Sequence, residues 1–249
     1  MSNEKEIREA FKKLLDSKFP KGFTFDEFSG GALRTRPDLA TFLPNHIVFT
    51  EIKSNKDNLS RLDNQTGDYT KFADHVYVIL DEKHHKQWWS KYRDKYTTET
   101  VYFYKNENFY YANEKLDREI EELYFYEYPS NNSKILTFLW KEEKYPFTSF
   151  IKGRTKILND ELVIQSLYTE REIIDMSHYI LYDRAKNRAG SKSGKAMTYN
   201  CGWYDRNIPY KEHRQSLFNQ INCEKAKKLN KKEQKIKHKS SKDSFPWIN

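Results

Sequence analysis

The chain predicts an α/β fold: a mixed sheet flanked by helices, in the order helix, three strands, helix, strand, followed by an α+β accessory region. Three observations carry that expectation. An amphipathic segment opens the chain. Three extended runs then follow between proline and glycine breaks, and a helical repeat leads into a short strand of β-branched and aromatic residues.

Residues 4–15 place Ile7, Ala10 or Phe11, Leu14 and Leu15 at helical spacing, with acids early and lysines later, as the helix dipole favours. Pro20 and Gly22 break that pattern. Residues 23–28 alternate aromatic with polar side chains in the manner of a strand, and Gly30 and Gly31 end it. Residues 38–43 and 46–53 are extended runs separated by Pro44-Asn45, which predicts a hairpin. Residues 55–73 return to a helical pattern with Leu59, Leu62, Tyr69 and Ala73 on one side; residues 75–80 predict a buried strand and residues 83–96 a further helix. The core is thus expected within residues 1–97. In an accessory region over residues 98–222, residues 101–104, 109–112 and 123–128 predict strands, and residues 160–167 and 169–186 helices, with Thr169 and Glu172 spaced as a capping box. Residues 191–194 predict a flexible loop and residues 223–249 a basic tail.

Composition limits the function classes. Aromatics reach 16%, with 18 Tyr and 16 Phe, enough for a folded core although hydrophobic residues total only 37%. Cys201 and Cys223 are too few for a disulfide framework, the first residues do not resemble a signal peptide, and no apolar run approaches the roughly 20 residues that span a bilayer. The reading is a cytosolic protein without a membrane partner. The net charge of +8 favours a polyanionic partner, but nine lysines against one acidic residue between residues 225 and 242 supply most of the excess. A solvated tail explains that run better than phosphate contact does, so motifs must identify the partner.

The hairpin carries the chemistry. With a turn centred between Pro44 and Asn45, residues whose numbers sum to 89 lie opposite each other, so Asp38 faces Glu51. Opposed Cβ atoms lie roughly 4.5–5.5 Å apart, and two carboxylates at that separation repel unless a cation lies between them. Lys53 projects to the same face as Glu51, while Ile52 turns to the packed side. A turn of odd length would shift the pairing and move Asp38 to the other face. Taken alone, the three residues read better as exposed strand charges, because such coincidences are common in a chain that is 32% charged.

The surrounding residues decide between these readings. Arg36-Pro37-Asp38 followed by Glu51-Ile52-Lys53-Ser54 resembles the PD-(D/E)xK nuclease superfamily, in which a carboxylate precedes Asp/Glu-x-Lys. Asp57, Leu59, Arg61-Leu62, Gln65 and Tyr69 are similar to the helix after the catalytic strand in a branch of small bacterial and phage members, including its Gln-x-x-x-Tyr. The leading helix around Ile7-Arg8-Glu9-Ala10 also resembles that family's first helix, where a glutamate often reaches the metal. The resemblance covers about the first 95 residues. It implies a restriction-endonuclease-like core and a nuclease dependent on Mg²⁺ or Mn²⁺. Asp38, Glu51 and the Ile52 carbonyl would be ligands, Glu9 a further one and Glu27 a reserve; hard cations favour such oxygens. Lys53 and Gln65 would serve catalysis, and Arg36, Arg61 and Tyr69 substrate binding. DNA is the implied substrate, and related nucleases often form homodimers.

Other constellations are weaker. His84-His85 with Trp88-Trp89 fits packing better than metal binding. Cys201, His213 and Cys223 have no usual zinc-finger spacing and no fourth ligand. The run Gly190-Ser191-Lys192-Ser193-Gly194-Lys195 lacks the phosphate-loop pattern. The rivals to a nuclease are a non-catalytic nucleic-acid-binding module on the same fold and a protein that inhibits a partner enzyme.

Overall fold

The computed structural model describes residues 3–96, 98–125, 133–140, 143–144, 147 and 160–189. The chain divides into two compact units, Met1–Leu139 with Glu170–Cys201, and Trp140–Thr169 with Gly202–Asn249.

The first unit is built on a six-stranded mixed sheet in the order β1-β2-β3-β4-β5-β6. Its strands are β1 (Phe23–Asp26), β2 (Leu39–Phe42), β3 (Ile47–Lys53), β4 (His75–Asp81), β5 (Thr100–Lys105) and β6 (Asn108–Tyr111). β3 runs parallel to β4 and β4 to β5, whereas the β1–β2, β2–β3 and β5–β6 pairs are antiparallel. The helices are α1 (Glu4–Lys18), α2 (Leu62–Tyr69) within the β3–β4 crossover, α3 (His85–Lys91), and α5 (Glu170–Ala189), which packs on β1 and β2. Short 3₁₀ turns occupy Glu82–His84 and Ser133–Phe138. No helix among the described residues is long and apolar enough to cross a membrane.

The β2–β3 hairpin has the expected register: Leu39 faces Thr50 and Phe42 faces Ile47, each pair summing to 89. A two-residue turn at Pro44 and Asn45 closes it through the Leu43 amide on the His46 carbonyl. β3 and β4 are buried along their whole length, as strands covered on both faces must be. On one face, Ile7, Phe11 and Leu15 of α1 pack against Leu39, Val48, Ile52, Tyr77 and Ile79. On the other, Phe28, Phe42, Phe49, Phe72 and Phe138 form a cluster of tilted and edge-on rings.

Three expectations are corrected. The helix expected over residues 55–73 is confined to α2, because Asp57 accepts the Ser54 amide and hydroxyl and Asn58 those of Ser60. Such side-chain bonds compete with helical ones. The sheet also does not end near residue 97, since β5 and β6 extend it and turn through Asn106 and Glu107, both with positive φ (47° and 67°). Residues 123–125 form no strand: tyrosine hydroxyls replace a ladder, Tyr124 donating its amide to Tyr102 and accepting from Tyr77.

In the second unit, α4 (Asp160–Leu167) matches the expected helix. Lys144 reaches Glu161 at 2.6 Å, and the Tyr168 hydroxyl donates to the Phe147 carbonyl. Residues 190–249, with the loop, the Cys201, His213 and Cys223 group and the basic tail, lie outside the described residues.

Candidate active site

Glu51 sits at the centre of the site and is only 2% exposed. Burying a carboxylate requires that its oxygens be satisfied, and three side chains do so. The Lys53 ammonium lies 2.5 Å from Oε1, the Gln65 amide donates to the same oxygen, and the Tyr69 hydroxyl donates to Oε2 at 2.6 Å. Lys53 arrives there because it shares β3's face with Glu51, and Gln65 and Tyr69 because they lie one turn apart on α2.

Asp38 immediately precedes β2, opposite Glu51 in the same register. Its Oδ2 accepts the Ile52 amide at 2.7 Å, and its Oδ1 lies 3.5 Å from Arg8. Burial, and then the Glu51 charge, push the Asp38 carboxyl from 3.8 up to about 7, against the opposing pull of the Ile52 amide and Arg8. Burial, with Glu51 next, also raises the Tyr69 phenol far above its usual range, keeping it a hydrogen-bond donor. A residue's N–H and C=O leave a strand on the same edge, so the Ile52 carbonyl points to Asp38's side, beyond the end of the β2 ladder.

Arg8, with a side chain 12% exposed, ties α1 to this edge: it meets Asp38 and Asp26 and bonds Glu4. For its guanidinium, burial, which alone lowers the pKa, is outweighed by the Glu4, Asp38 and Asp26 carboxylates, and the pKa is raised. Lys12, one turn on, binds Asp26 at 2.8 Å.

Beside the two carboxylates lies a cleft of about 450 Å³ lined by Glu27, Arg34, Arg36, Asp38, Arg61 and Gln65, with Thr35 and Asn64. The structure therefore brings Asp38, Glu51, Lys53, Gln65, Arg36 and Arg61 into one region. Glu27 has φ 48°, a left-handed conformation costly for a residue with a Cβ, and meets Arg36 at 3.4 Å. Gln65 Oε1 is buried without a hydrogen-bond partner among the described residues.

Two expected residues are placed differently. Glu9 is 58% exposed and meets Lys12; the α1 side chain that reaches Asp38 is Arg8. A helical projection explains it, because Glu9 falls opposite the Ile7, Phe11 and Leu15 stripe while Arg8 borders it. Tyr69 is fully buried behind Glu51, so it holds the carboxylate and is not among the residues that line the cleft. The expected packing role of the His-His/Trp-Trp segment is seen directly: His84 bonds the Ser54 carbonyl, His85 the Asn113 carbonyl, and Trp88 packs edge-on to Phe103.

Sequence reasoning missed Asp68. It is 4% exposed and its Oδ2 accepts the Arg34 amide (2.7 Å), the Thr35 amide (3.0 Å) and the Thr35 hydroxyl (3.2 Å). Its spacing from Arg61 and Gln65, at i, i+4 and i+7, was the available signal.

Among the described residues no three His, Cys, Asp or Glu side chains converge as a metal-ligand set. The donors at hand are two adjacent carboxylates and the Ile52 carbonyl edge. They fit a hard divalent cation: all are oxygens, and the mutual repulsion of Asp38 and Glu51 is what such an ion relieves.

Residues 2–96 match the profile of a family described as bacteriophage P4 protein cII. That segment holds α1 to α3 and includes Asp38, Glu51, Lys53 and Gln65. No curated protein matches the chain. A solved structure titled "SPO1766 protein of unknown function from Silicibacter pomeroyi" aligns over 64% of this chain and 99% of its own, at 13% identity and a TM-score of 0.34. A likeness at that level leaves the description of the fold resting on the sheet itself.

Proposed function

We propose that this chain is a divalent-metal-dependent nuclease with a restriction-endonuclease-like core, hydrolysing phosphodiester bonds of DNA as an endonuclease in DNA processing, repair, restriction or phage DNA metabolism. The supporting observation is the opposition of Asp38 and Glu51 across the hairpin, with Lys53 on Glu51's face and a basic cleft alongside. A phage setting agrees with the description of the family that matches residues 2–96.

Asp38, Glu51 and the Ile52 carbonyl would hold Mg²⁺ or Mn²⁺. Bound there, the ion supplies Lewis-acid neutralisation of phosphate charge and acidifies water. The chain's own groups do the rest. Lys53 offers ammonium donors beside the carboxylates, where negative charge develops on a phosphodiester. Gln65, whose amide nitrogen donates to Glu51, also carries an amide oxygen that could accept a water proton. Tyr69 fixes the Glu51 carboxylate, and Arg8 the Asp38 edge.

The rival, a non-catalytic nucleic-acid-binding or partner-inhibiting protein, draws on one observation: both Glu51 oxygens already have protein partners. Incubation of purified protein with supercoiled, linear and single-stranded DNA and with RNA separates the readings, in Mg²⁺, Mn²⁺ or EDTA and beside Glu51→Ala and Lys53→Ala. Metal-dependent cutting lost in both variants is expected. Cutting that persists in both variants rejects this site as its source, and no cutting of any substrate with either metal rejects the nuclease.

A further inference from the structure

We propose that Arg34, Arg36 and Arg61 form a seat for the sugar–phosphate backbone of a DNA strand entering the Asp38–Glu51 site, and that buried Asp68 is the positioning residue that fixes the loop carrying two of them. The identity of the ligand rests on the nuclease reading; the construction of the seat rests on the geometry.

All three arginines line the same cleft as Asp38 and Gln65. Among the described residues, Arg34 and Arg61 have no carboxylate within ion-pairing distance. Arg36 meets Glu27 at 3.4 Å, with both side chains more than half exposed, a contact that solvent screens heavily. Three guanidinium groups gathered round one cavity repel each other. Their planar, multiply donating heads suit phosphate oxygens, which relieve that repulsion and accept in a bidentate manner.

The gathering is enforced from below. Arg61, Gln65 and Asp68 share one face of the α2 segment, and Asp68 receives two successive backbone amides and a hydroxyl from the loop. One oxygen of a buried carboxylate thus sets the direction in which Arg34 and Arg36 leave the backbone. The other side of the same loop is held by Ala32, whose amide donates to Thr137, and by Gly31 against Phe138. The arginines are therefore presented on a clamped loop.

The test is equilibrium binding of fluorescent single-stranded and duplex DNA in EDTA across a salt series. The variants are Arg34→Ala, Arg36→Ala, Arg61→Ala, Asp68→Asn and Arg34→Ala/Arg36→Ala with and without Asp68→Asn. Each arginine removal is expected to weaken binding and to lower the slope of log affinity against log salt by about 0.7–0.9. Asp68→Asn is expected to weaken binding in the wild-type background and to change nothing once Arg34 and Arg36 are gone, as a coupled pair of sites requires. Wild-type affinity and slope in the arginine variants overturn the seat, and an equal Asp68→Asn effect in both backgrounds overturns its positioning role. Cleavage in Mg²⁺ is scored separately. Arginine-dependent binding without cleavage removes the nuclease reading and leaves the seat, whereas cleavage with arginine-independent binding does the reverse.

Discussion

The Asp38 carboxylate accepts the Ile52 amide at 2.7 Å, and this bond sets Asp38 beside the strand that carries Glu51 and Lys53. It extends the hairpin ladder by one side-chain link beyond Leu39 and Thr50, the last residues paired through their backbones. The carboxyl that makes it is also raised toward neutral pH by its burial and by the Glu51 charge.

Burial and the Glu51 charge raise Asp38 from 3.8 to about 7, so in metal-free protein the folded state keeps a proton that the unfolded chain releases. The stability tied to that proton is fully present below about pH 4 and is lost as pH rises through about 7. Asp38→Asn is expected to flatten this slope and to melt higher than wild type above about pH 7. Thermal melts in EDTA across that range measure it, and parallel curves for the two proteins would contradict the assignment.

Lys53 and Glu51 form a buried ion pair, with side chains 7% and 2% exposed. Removing one partner leaves the other charged and uncompensated, so Lys53→Met is expected to cost about 3–5 kcal/mol in urea denaturation. The double variant Lys53→Met/Glu51→Gln is expected to lose less than the sum of the single changes. Strict additivity would show that the two groups do not interact in solution.

Tyr69→Phe keeps the ring that packs edge-on to Phe49 and removes only the hydroxyl that donates to Glu51. The loss leaves Glu51 Oε2 short of a donor, at about 1–3 kcal/mol. Substrate affinity is expected to be unchanged while turnover falls, because Tyr69 acts through Glu51. A rise in Kd for DNA with turnover intact would instead place Tyr69 at the substrate.

Gly31 has φ +57°, and a Cβ there would lie 2.3 Å from Phe138 Cδ1. Gly31→Ala therefore meets both a left-handed backbone penalty of about 1–2 kcal/mol and a clash with a buried ring. A lowered Tm is expected, partly restored by Phe138→Leu in the same chain. An unchanged Tm in the single variant would mean that the loop can shift without cost.

The hairpin was legible because it is local: a two-residue turn and an alternating pattern leave one register that buries Ile52 and aligns Asp38 with Glu51. α4 was equally legible, a short amphipathic repeat read to its observed ends. The helix over residues 55–61 was misread because periodicity does not register Asp57 and Asn58 binding nearby backbone amides. The sheet beyond residue 97 was read as separate strands, since nothing local tells β5 to pair with β4.

The sequence by itself determined which residues alternate on β3, that a two-residue turn would set Asp38 opposite Glu51, and that Lys53, Gln65 and Tyr69 were spaced to join them. Periodicity and turn length act over a few residues, and those relations need no more. Only the tertiary structure decided that Arg8 rather than Glu9 meets Asp38, that Tyr69 lies behind Glu51, and that Asp68 clamps the arginine loop. These depend on how α1 rolls on the sheet and how far α2 extends, which are set by packing between segments distant in the chain.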